Sequence, residues 1–179
     1  MDRRQPSSGQ FRSRFDLQFN NPSNTGFNGR VALVTKREAL RLARCTLKDS
    51  KITARVFNDA LNSILTHSDK LKPWTQLVES AYERLSQRER PLARFFIMSF
   101  RAGRRDYEGV LRVMPKRFVG TFALVNLAYV MEAAFALDNE ALVRKLAKRL
   151  PHSLEDADHP IMREHLRGCL SEFYERYGE

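Results

Sequence analysis

The sequence is poor in the residues that stabilise small secreted proteins or build all-β folds. Only two of its 179 residues are cysteines, Cys45 and Cys169, which excludes a framework of several disulfides and is typical of a reducing compartment. Glycine (8) and proline (7) are sparse, and no segment alternates like a strand for long, which argues against an all-β chain. The first residues lack an apolar h-region, so no secretory signal is predicted.

Acidic residues are in the minority. The chain has 31 lysines and arginines against 21 aspartates and glutamates, a formal net charge of +10 and a pI of about 10.1. Such an excess favours polyanionic partners, namely nucleic acid, acidic proteins or anionic membranes, although it also serves solubility.

Motifs for catalysis or metal binding are also lacking. The histidines at 67, 152, 159 and 165 show no ligand spacing, and no phosphate-binding glycine loop or nucleophile elbow occurs. Asp156, Asp158 and His159 are interpreted as a polar loop and helix cap before Pro160 rather than an acid–base cluster. We therefore expect neither an enzyme nor a bound cofactor or metal.

One apolar run, residues 118–137, approaches the length of a membrane span. It contains Asn126 and Glu132, and a charge at the centre of a bilayer costs roughly 3 kcal/mol. A buried central helix is therefore predicted, with no membrane span. Glu132 is expected to pair with an arginine of a neighbouring helix or to mark a partner groove.

Residues 1–30 differ from the rest of the chain. They are rich in serine, asparagine, glutamine, glycine and arginine, with Asp2 and Asp16 as the only acids. This composition predicts a disordered basic arm, or alternatively an organellar transit segment.

From residue 35 onward, helix signals are regular. Thr35 and Glu38 form a capping-box pattern, Pro73 and Pro91 suit first helical turns, and Asp106 is placed to start a short helix. Gly103 is predicted to end a helix in the left-handed conformation. The apolar positions recur at helical spacing, as in Phe57, Ala60, Leu61 and Ile64, in Trp74, Leu77, Val78, Ala81 and Leu85, and in Leu92, Phe95, Phe96 and Phe100.

The helices also recur as pairs. The turns at residues 68–69, 103–104 and 137–138 are about 35 residues apart, a spacing found in helical solenoids. One hairpin cannot bury its apolar face alone, whereas stacked neighbours share a core. The predicted fold is an all-α solenoid of about three stacked hairpins within residues 35–179, closed by a C-terminal capping helix.

Residues 95–114 (FFIMSFRAGRRDYEGVLRVM) join an apolar helix, a glycine turn and a leucine-bearing second helix. This layout resembles the pentatricopeptide family, and also tetratricopeptide repeats, over roughly residues 55–150. The resemblance implies binding of single-stranded RNA in mitochondria or plastids, one base per repeat. The family's base-reading position corresponds to Asp59, Arg94 and Ala128, where the family usually has Asn, Ser or Thr. The resemblance therefore implies a part of a larger ribonucleoprotein that touches RNA without reading its sequence.

Basic residues cluster near the predicted hairpin junctions, where cationic donors at repeated spacing suit phosphates. The first hypothesis is an RNA- or ribonucleoprotein-associated protein, mitochondrial or otherwise cytoplasmic. The second is a scaffold that binds an acidic partner helix or peptide. The predicted nucleic-acid-binding residues are Arg94, Arg101, Arg104, Arg105, Arg112, Lys116, Arg117, Lys145, Lys148 and Arg149.

Overall fold

The computed structural model describes residues 35–119, 122–150 and 160–178, and within these ranges all regular structure is helical. The predicted all-α class is therefore confirmed. The basic arm predicted for residues 1–30 and the polar loop with Asp156 and Asp158 lie outside the described residues. The α-helices are α1 (Lys36–Lys48), α2 (Ala54–His67), α3 (Thr75–Arg84), α4 (Arg90–Gly103), α5 (Tyr107–Arg112), α6 (Ala123–Ala136), α7 (Glu140–Ala147) and α8 (Pro160–Tyr177).

Polar side chains cap the starts of four helices, as free backbone amides require. Thr35 accepts a hydrogen bond from the amide of Glu38 at 3.3 Å, and Thr53 caps α2 in the same way. Asp106 accepts from the amide of Gly109 at 2.9 Å, and Asn139 caps α7. The predicted helix starts at Thr35 and Asp106 are confirmed.

Two tight turns, 33 residues apart, share one geometry. Arg105 (φ 60°) ends the turn between α4 and α5, and Asp138 (φ 49°) ends the turn between α6 and α7. In each turn the next amide, that of Asp106 or Asn139, donates to a carbonyl five residues earlier at 2.9 Å. This hydrogen-bond pattern is the Schellman motif. Its left-handed position is usually glycine, and here it is Arg105 or Asp138.

Gly103 does not adopt the left-handed conformation that its sequence position suggested. Helix α4 does end there, but the left-handed residue is Arg105. A side chain at Gly103 would bring its Cβ within 2.8 Å of the Leu71 side chain, so the glycine permits close packing against the preceding hairpin.

The helices pack largely in chain order. Helix α2 contacts α1 and α4, α4 contacts α6, and α6 contacts α8, while α5 and α7 lie against the helices on either side of them in the sequence. Helix α6 touches α4, α5, α7 and α8, which explains why its sequence is apolar on nearly every face. The largest fully buried side chains are Phe57, Phe100, Leu47, Leu61, Ile64, Leu85, Ile97, Met98, Leu127, Met131, Leu146 and Leu150.

The apolar run at residues 118–137 contributes a helix of 14 residues rather than a longer one. Among the residues that the structure describes, no helix combines the length and apolarity that a membrane span requires.

Candidate polyanion-binding surface

Helices α2, α4 and α6 begin at the same end of the helical domain. The amide of Ala54, the first residue of α2, donates to the Glu89 carboxylate just before α4 at 3.2 Å. The ring of Phe95 near the start of α4 stacks on that of Phe122, which precedes α6, with centroids 4.6 Å apart. We call this end, marked by Ala54, Glu89 and Phe122, the basic end.

The opposite end holds the tight turns at Arg105 and Asp138, and we call it the turn end. Lys36 at the start of α1 pairs there with Asp69 after α2, at 2.9 Å, so α1 runs antiparallel to α2 and finishes at the basic end. Helix α3 also finishes there, because Arg84 in its last turn donates to the carbonyl of Leu47. The tight turn after α6 directs α7 toward the basic end as well.

Exposed positive charge is concentrated at the basic end. Besides Arg84 and Arg90, which donate to carbonyls of the fold, nine exposed lysines and arginines between residues 48 and 149 lie in helix ends or loops there. Asp49, Asp59 and Glu83 are the exposed acids at this end between residues 48 and 149. The surplus creates a positive potential that attracts polyanions. The nine are Lys48, Lys51, Arg55, Arg88, Lys116, Arg117, Lys145, Lys148 and Arg149.

The turn end has no comparable surplus among its described residues. Seven exposed cations face six exposed acids there. The cations are Lys36, Arg37, Lys70, Lys72, Arg105, Arg112 and Arg176, and the acids are Glu38, Asp69, Glu108, Asp138, Glu140 and Glu175. The difference between the ends therefore does not follow from the net charge of the whole chain.

The Glu89 carboxylate near the basic end is engaged in hydrogen bonds. Glu89 accepts from the Ala54 amide with one oxygen and from the Ser86 hydroxyl with the other, at 3.1 Å. Arg90 next to it donates to the carbonyls of Leu85 and Glu83, at 3.2 and 2.7 Å, and so completes the end of α3. Glu89 and Arg90 thus hydrogen-bond within the fold at this end.

The ten predicted nucleic-acid-binding residues do not share one surface. The structure places six at the basic end and three at the turn end. Arg112 is exposed, but its guanidinium lies 3.9 Å from Asp106 and so reaches back toward the turn end. The six are Arg94, Lys116, Arg117, Lys145, Lys148 and Arg149, and the three are Arg101, Arg104 and Arg105.

Arg101 is an internal residue, 8% exposed, rather than part of a binding surface. Its guanidinium donates to both oxygens of Glu79, at 3.0 and 2.5 Å, and to the carbonyl of Gly109 at 2.7 Å. Burial opposes its charge, but the hydrogen bonds and charge of Glu79 outweigh this effect and raise the pKa of Arg101. Arg104 lies 4.0 Å from Glu79 and over the ring of Phe100, so it too serves mainly the fold.

The resemblance to pentatricopeptide repeats assigned base contact to Asp59, Arg94 and Ala128. Ala128 is fully buried, so it cannot touch a ligand. Asp59 is exposed, while Arg94 is half-buried with its Nε enclosed and without an acceptor among the described residues. The three positions therefore do not form a common base-reading row.

Four of the nine exposed cations listed for the basic end are not among the ten residues predicted from the sequence: Lys48, Lys51, Arg55 and Arg88. They lie at the end of α1, before and within the first turn of α2, and before α4. Their position relative to helix ends is the signal that would have found them, because antiparallel hairpins bring alternate helix starts and ends together.

No arginine of the described helices pairs with Glu132, contrary to the expectation from the sequence. In the described part of the chain its Oε2 is enclosed without a hydrogen-bond partner, and burial raises the pKa of its carboxyl group. Burial raises the pKa values of Tyr107, Tyr129 and Cys169, and the charge of Glu132 raises them further. The predicted ion pair is wrong for the described residues.

Replacing Glu132 with glutamine is expected to raise the melting temperature at pH 7 by about 2 to 4 °C, equivalent to about 1 kcal/mol in a chain of this size. Because the carboxyl pKa is higher in the folded than in the unfolded chain, the wild type loses stability as pH rises from the unfolded to the folded pKa. The difference in melting temperature between Glu132→Gln and wild type should therefore shrink as pH falls to about 4. Circular dichroism melts measure it, with Glu108→Gln, at an exposed site, as control. Equal melting of Glu132→Gln and wild type at pH 7 would contradict the expectation.

The contact between Cys169 and His165 does not provide an activated nucleophile. The Sγ and Nε2 atoms are 3.8 Å apart, but burial raises the pKa of the thiol to about 12 and lowers that of the imidazole. A neutral thiol beside a neutral ring is unreactive at physiological pH. No group of three His, Cys, Asp or Glu side chains within the described ranges is arranged to hold a metal ion.

Comparison with known proteins identifies no relative: no protein-family model, curated protein or solved structure matches this chain.

Proposed function

We propose that this chain is a non-catalytic helical-repeat protein that binds RNA, or an RNA-bearing surface of a larger complex, through its basic end. The observation that carries the proposal is the separation of charge: between residues 48 and 149, nine exposed cations lie at the basic end against three exposed acids, while the turn end is nearly balanced. Cations gathered on one surface are the electrostatic signature of a polyanion site.

The proposed architecture is an α-solenoid of about three stacked hairpins. It is supported by the contacts that join α2, α4, α6 and α8 in order, and by the shared geometry of the turns at Arg105 and Asp138. In such a stack the same ends of successive helices line one side. That arrangement would repeat the cations along the path of a nucleic-acid backbone.

Contact with phosphates, rather than recognition of bases, is the proposed mode. Lysine and arginine side chains on loops and helix ends reach phosphates without distinguishing sequence. Ala128, one of the three positions that would read bases, is buried. The proposal thus predicts similar affinity for RNAs of different sequence.

Salt dependence of RNA binding tests this proposal. We expect the full chain to bind a fluorescein-labelled oligouridine of about 15 nucleotides, measured by anisotropy, with a log–log salt slope of about −3 if four or more phosphates are contacted. An oligoadenine of equal length should bind within about three-fold, since phosphates are common to both. Absence of binding at low salt, or affinity unaffected by salt, would overturn the proposal.

A further inference from the structure

Three arginines of α4 share one face of that helix. At about 100° per residue, Arg90, Arg94 and Arg101 lie within about 40° of one another around the helix axis. The guanidinium carbons of Arg90 and Arg101 lie 6.0 and 5.7 Å from the centroid of the Tyr82 ring in α3. Arg94, between them on the same face, is therefore also directed toward α3. Burial raises the pKa of Tyr82 and the charges of all three arginines oppose that rise, in agreement with this placement.

Two of these arginines are engaged by the fold, and Arg94 is not. Arg90 donates to two carbonyls at the end of α3, at 3.2 and 2.7 Å, and Arg101 donates to both oxygens of Glu79. The Nε atom of Arg94 is enclosed, and the described part of the chain offers it no acceptor. Enclosed polar atoms nearly always have a hydrogen-bond partner, so an arginine held in place without one can accommodate a ligand.

The short length of α5 leaves the first half of this face uncovered. Helix α5 has six residues, whereas α4 has 14. Arg101 donates to the carbonyl of Gly109, and from there α5 continues toward the basic end for three residues, or about 4.5 Å. Arg94 lies seven residues, or about 10.5 Å, from Arg101 in the same direction. Helix α5 therefore ends before the level of Arg94, which is half-buried between the buried residues Ala93 and Phe95.

We call the uncovered part of the face, with Arg90 and Arg94, the Arg94 site, and its surroundings are cationic. The acids on the adjacent side of α3 are Glu79, which is bound by Arg101, and Glu83, which is exposed and forms no ion pair within the described ranges. The segment that leads from α5 to α6 adds two exposed cations, at residues 116 and 117. The surplus of positive charge favours an anion as the ligand of Arg94.

Phosphate is the anion that fits this site best. A guanidinium presents paired N–H donors that match two oxygens of a phosphate or a carboxylate. The site belongs to the basic end, where nine exposed cations extend over several helix ends. Such an extended positive surface suits a polyanion that carries a charge on every residue, as a nucleic-acid backbone does.

We propose that Arg94, assisted by the charge of Arg90, binds one phosphate group at the Arg94 site, and that the backbone of an RNA supplies it. This inference rests on the proposed function and deepens it. The nine exposed cations attract RNA through their combined charge, whereas Arg94 holds a single phosphate in a fixed position, because its Nε is already enclosed beside α3.

NMR with inorganic phosphate tests the site without RNA. The full chain, isotope-labelled for nitrogen, is titrated near neutral pH at constant ionic strength, and the Nε–Hε cross-peak of Arg94 is followed. An enclosed Nε–H exchanges slowly enough to be observed, and Arg94→Lys, which lacks the peak, identifies it. We expect a saturable shift at least about five times that produced by sodium acetate at the same concentration. A missing peak, an unmoved peak or an equal shift with acetate overturns the proposal.

Binding of the fluorescein-labelled oligouridine tests the source of the phosphate. Arg94→Lys should weaken it at least about five-fold although the net charge is unchanged, because an ammonium group does not replace the paired donors of a guanidinium. Arg88→Lys, at an exposed arginine of the same end, is the matched control and should stay within about two-fold. Circular dichroism checks that both variants are folded.

The two measurements separate this inference from the proposed function. If wild type and Arg94→Lys bind oligouridine equally well, RNA does not supply the phosphate and the proposal is overturned. If wild type does not bind oligouridine at all, the proposed function is refuted. The response of the Arg94 peak to inorganic phosphate then decides by itself whether the phosphate site is retained or rejected.

Discussion

Replacing Arg101 with methionine is expected to lower the free energy of unfolding by about 3 kcal/mol, the lower end of the range for removing one partner of a buried ion pair. The substitution leaves the Glu79 carboxylate without its two closest donors and the Gly109 carbonyl without its hydrogen bond. Arg104, 4.0 Å from Glu79, compensates only in part. Urea unfolding followed by circular dichroism gives the value.

Arg105→Met is the matched control, since it removes the same charge from an exposed neighbour in the same turn. It should change stability by less than about 0.5 kcal/mol, as most surface substitutions do. The double variant Glu79→Gln/Arg101→Met should lose less than the two single variants combined, because each single change already breaks the shared pair. If Arg101→Met is as stable as Arg105→Met, the hydrogen bonds of Arg101 to Glu79 and Gly109 do not stabilise the fold.

Reversing four charges at the basic end is expected to weaken RNA binding at least about 100-fold at low salt. The variant is Lys116→Glu/Arg117→Glu/Lys145→Glu/Lys148→Glu, in which all four sites are exposed, so folding should be retained. The weaker binding follows from removing cations that neutralise phosphates and adding repulsion in their place. The salt slope should become shallower by about one for each phosphate that the variant no longer neutralises.

A variant with the same change in net charge at the turn end is the control: Arg37→Glu/Lys70→Glu/Lys72→Glu/Arg105→Glu. It should weaken binding no more than about five-fold, through long-range electrostatics alone, which salt screens. Comparable losses in the two variants would mean that RNA responds to the total charge of the chain and not to one end.

Local signals predicted the helices well because their causes are local. A hydroxyl or carboxylate in front of a helix satisfies amides three residues away, as Thr35 and Asp106 do. Proline fixes a first turn, as Pro91 does at the start of α4. The helical character of the described ranges and the approximate helix bounds could therefore be inferred from residues within one or two turns of each boundary.

The direction that a side chain faces was harder to predict on α4. Apolar residues surround most of this helix, so periodicity alone does not say which of them face the core. The neighbouring helices decide it: Arg101 is buried between Glu79 of α3 and Gly109 of α5, whereas Leu92 remains exposed. The sequence thus predicted Arg101 on the surface and Leu92 in the core. In the structure Arg101 is buried and Leu92 is exposed.

The composition of the candidate site depends on topology for a similar reason. Arg104 and Lys116 are only 12 positions apart, yet one lies at the turn end and the other at the basic end. Clustering in sequence suggested one continuous surface, but a chain that reverses at every hairpin distributes neighbouring residues to opposite ends. Assigning each basic residue to the correct end requires both the lengths of the helices and the positions of the turns.

The hydrogen bond between the Ala54 amide and Glu89 links helix starts that are 35 residues apart in sequence. The first turn of α2 is therefore complete only when the segment leading into α4 has taken its place. A chain truncated before Glu89 would leave that amide without its partner, and α2 would fray at its start. The segment before α4 thus stabilises the start of α2. We therefore expect α2 and α4 to unfold together rather than one after the other.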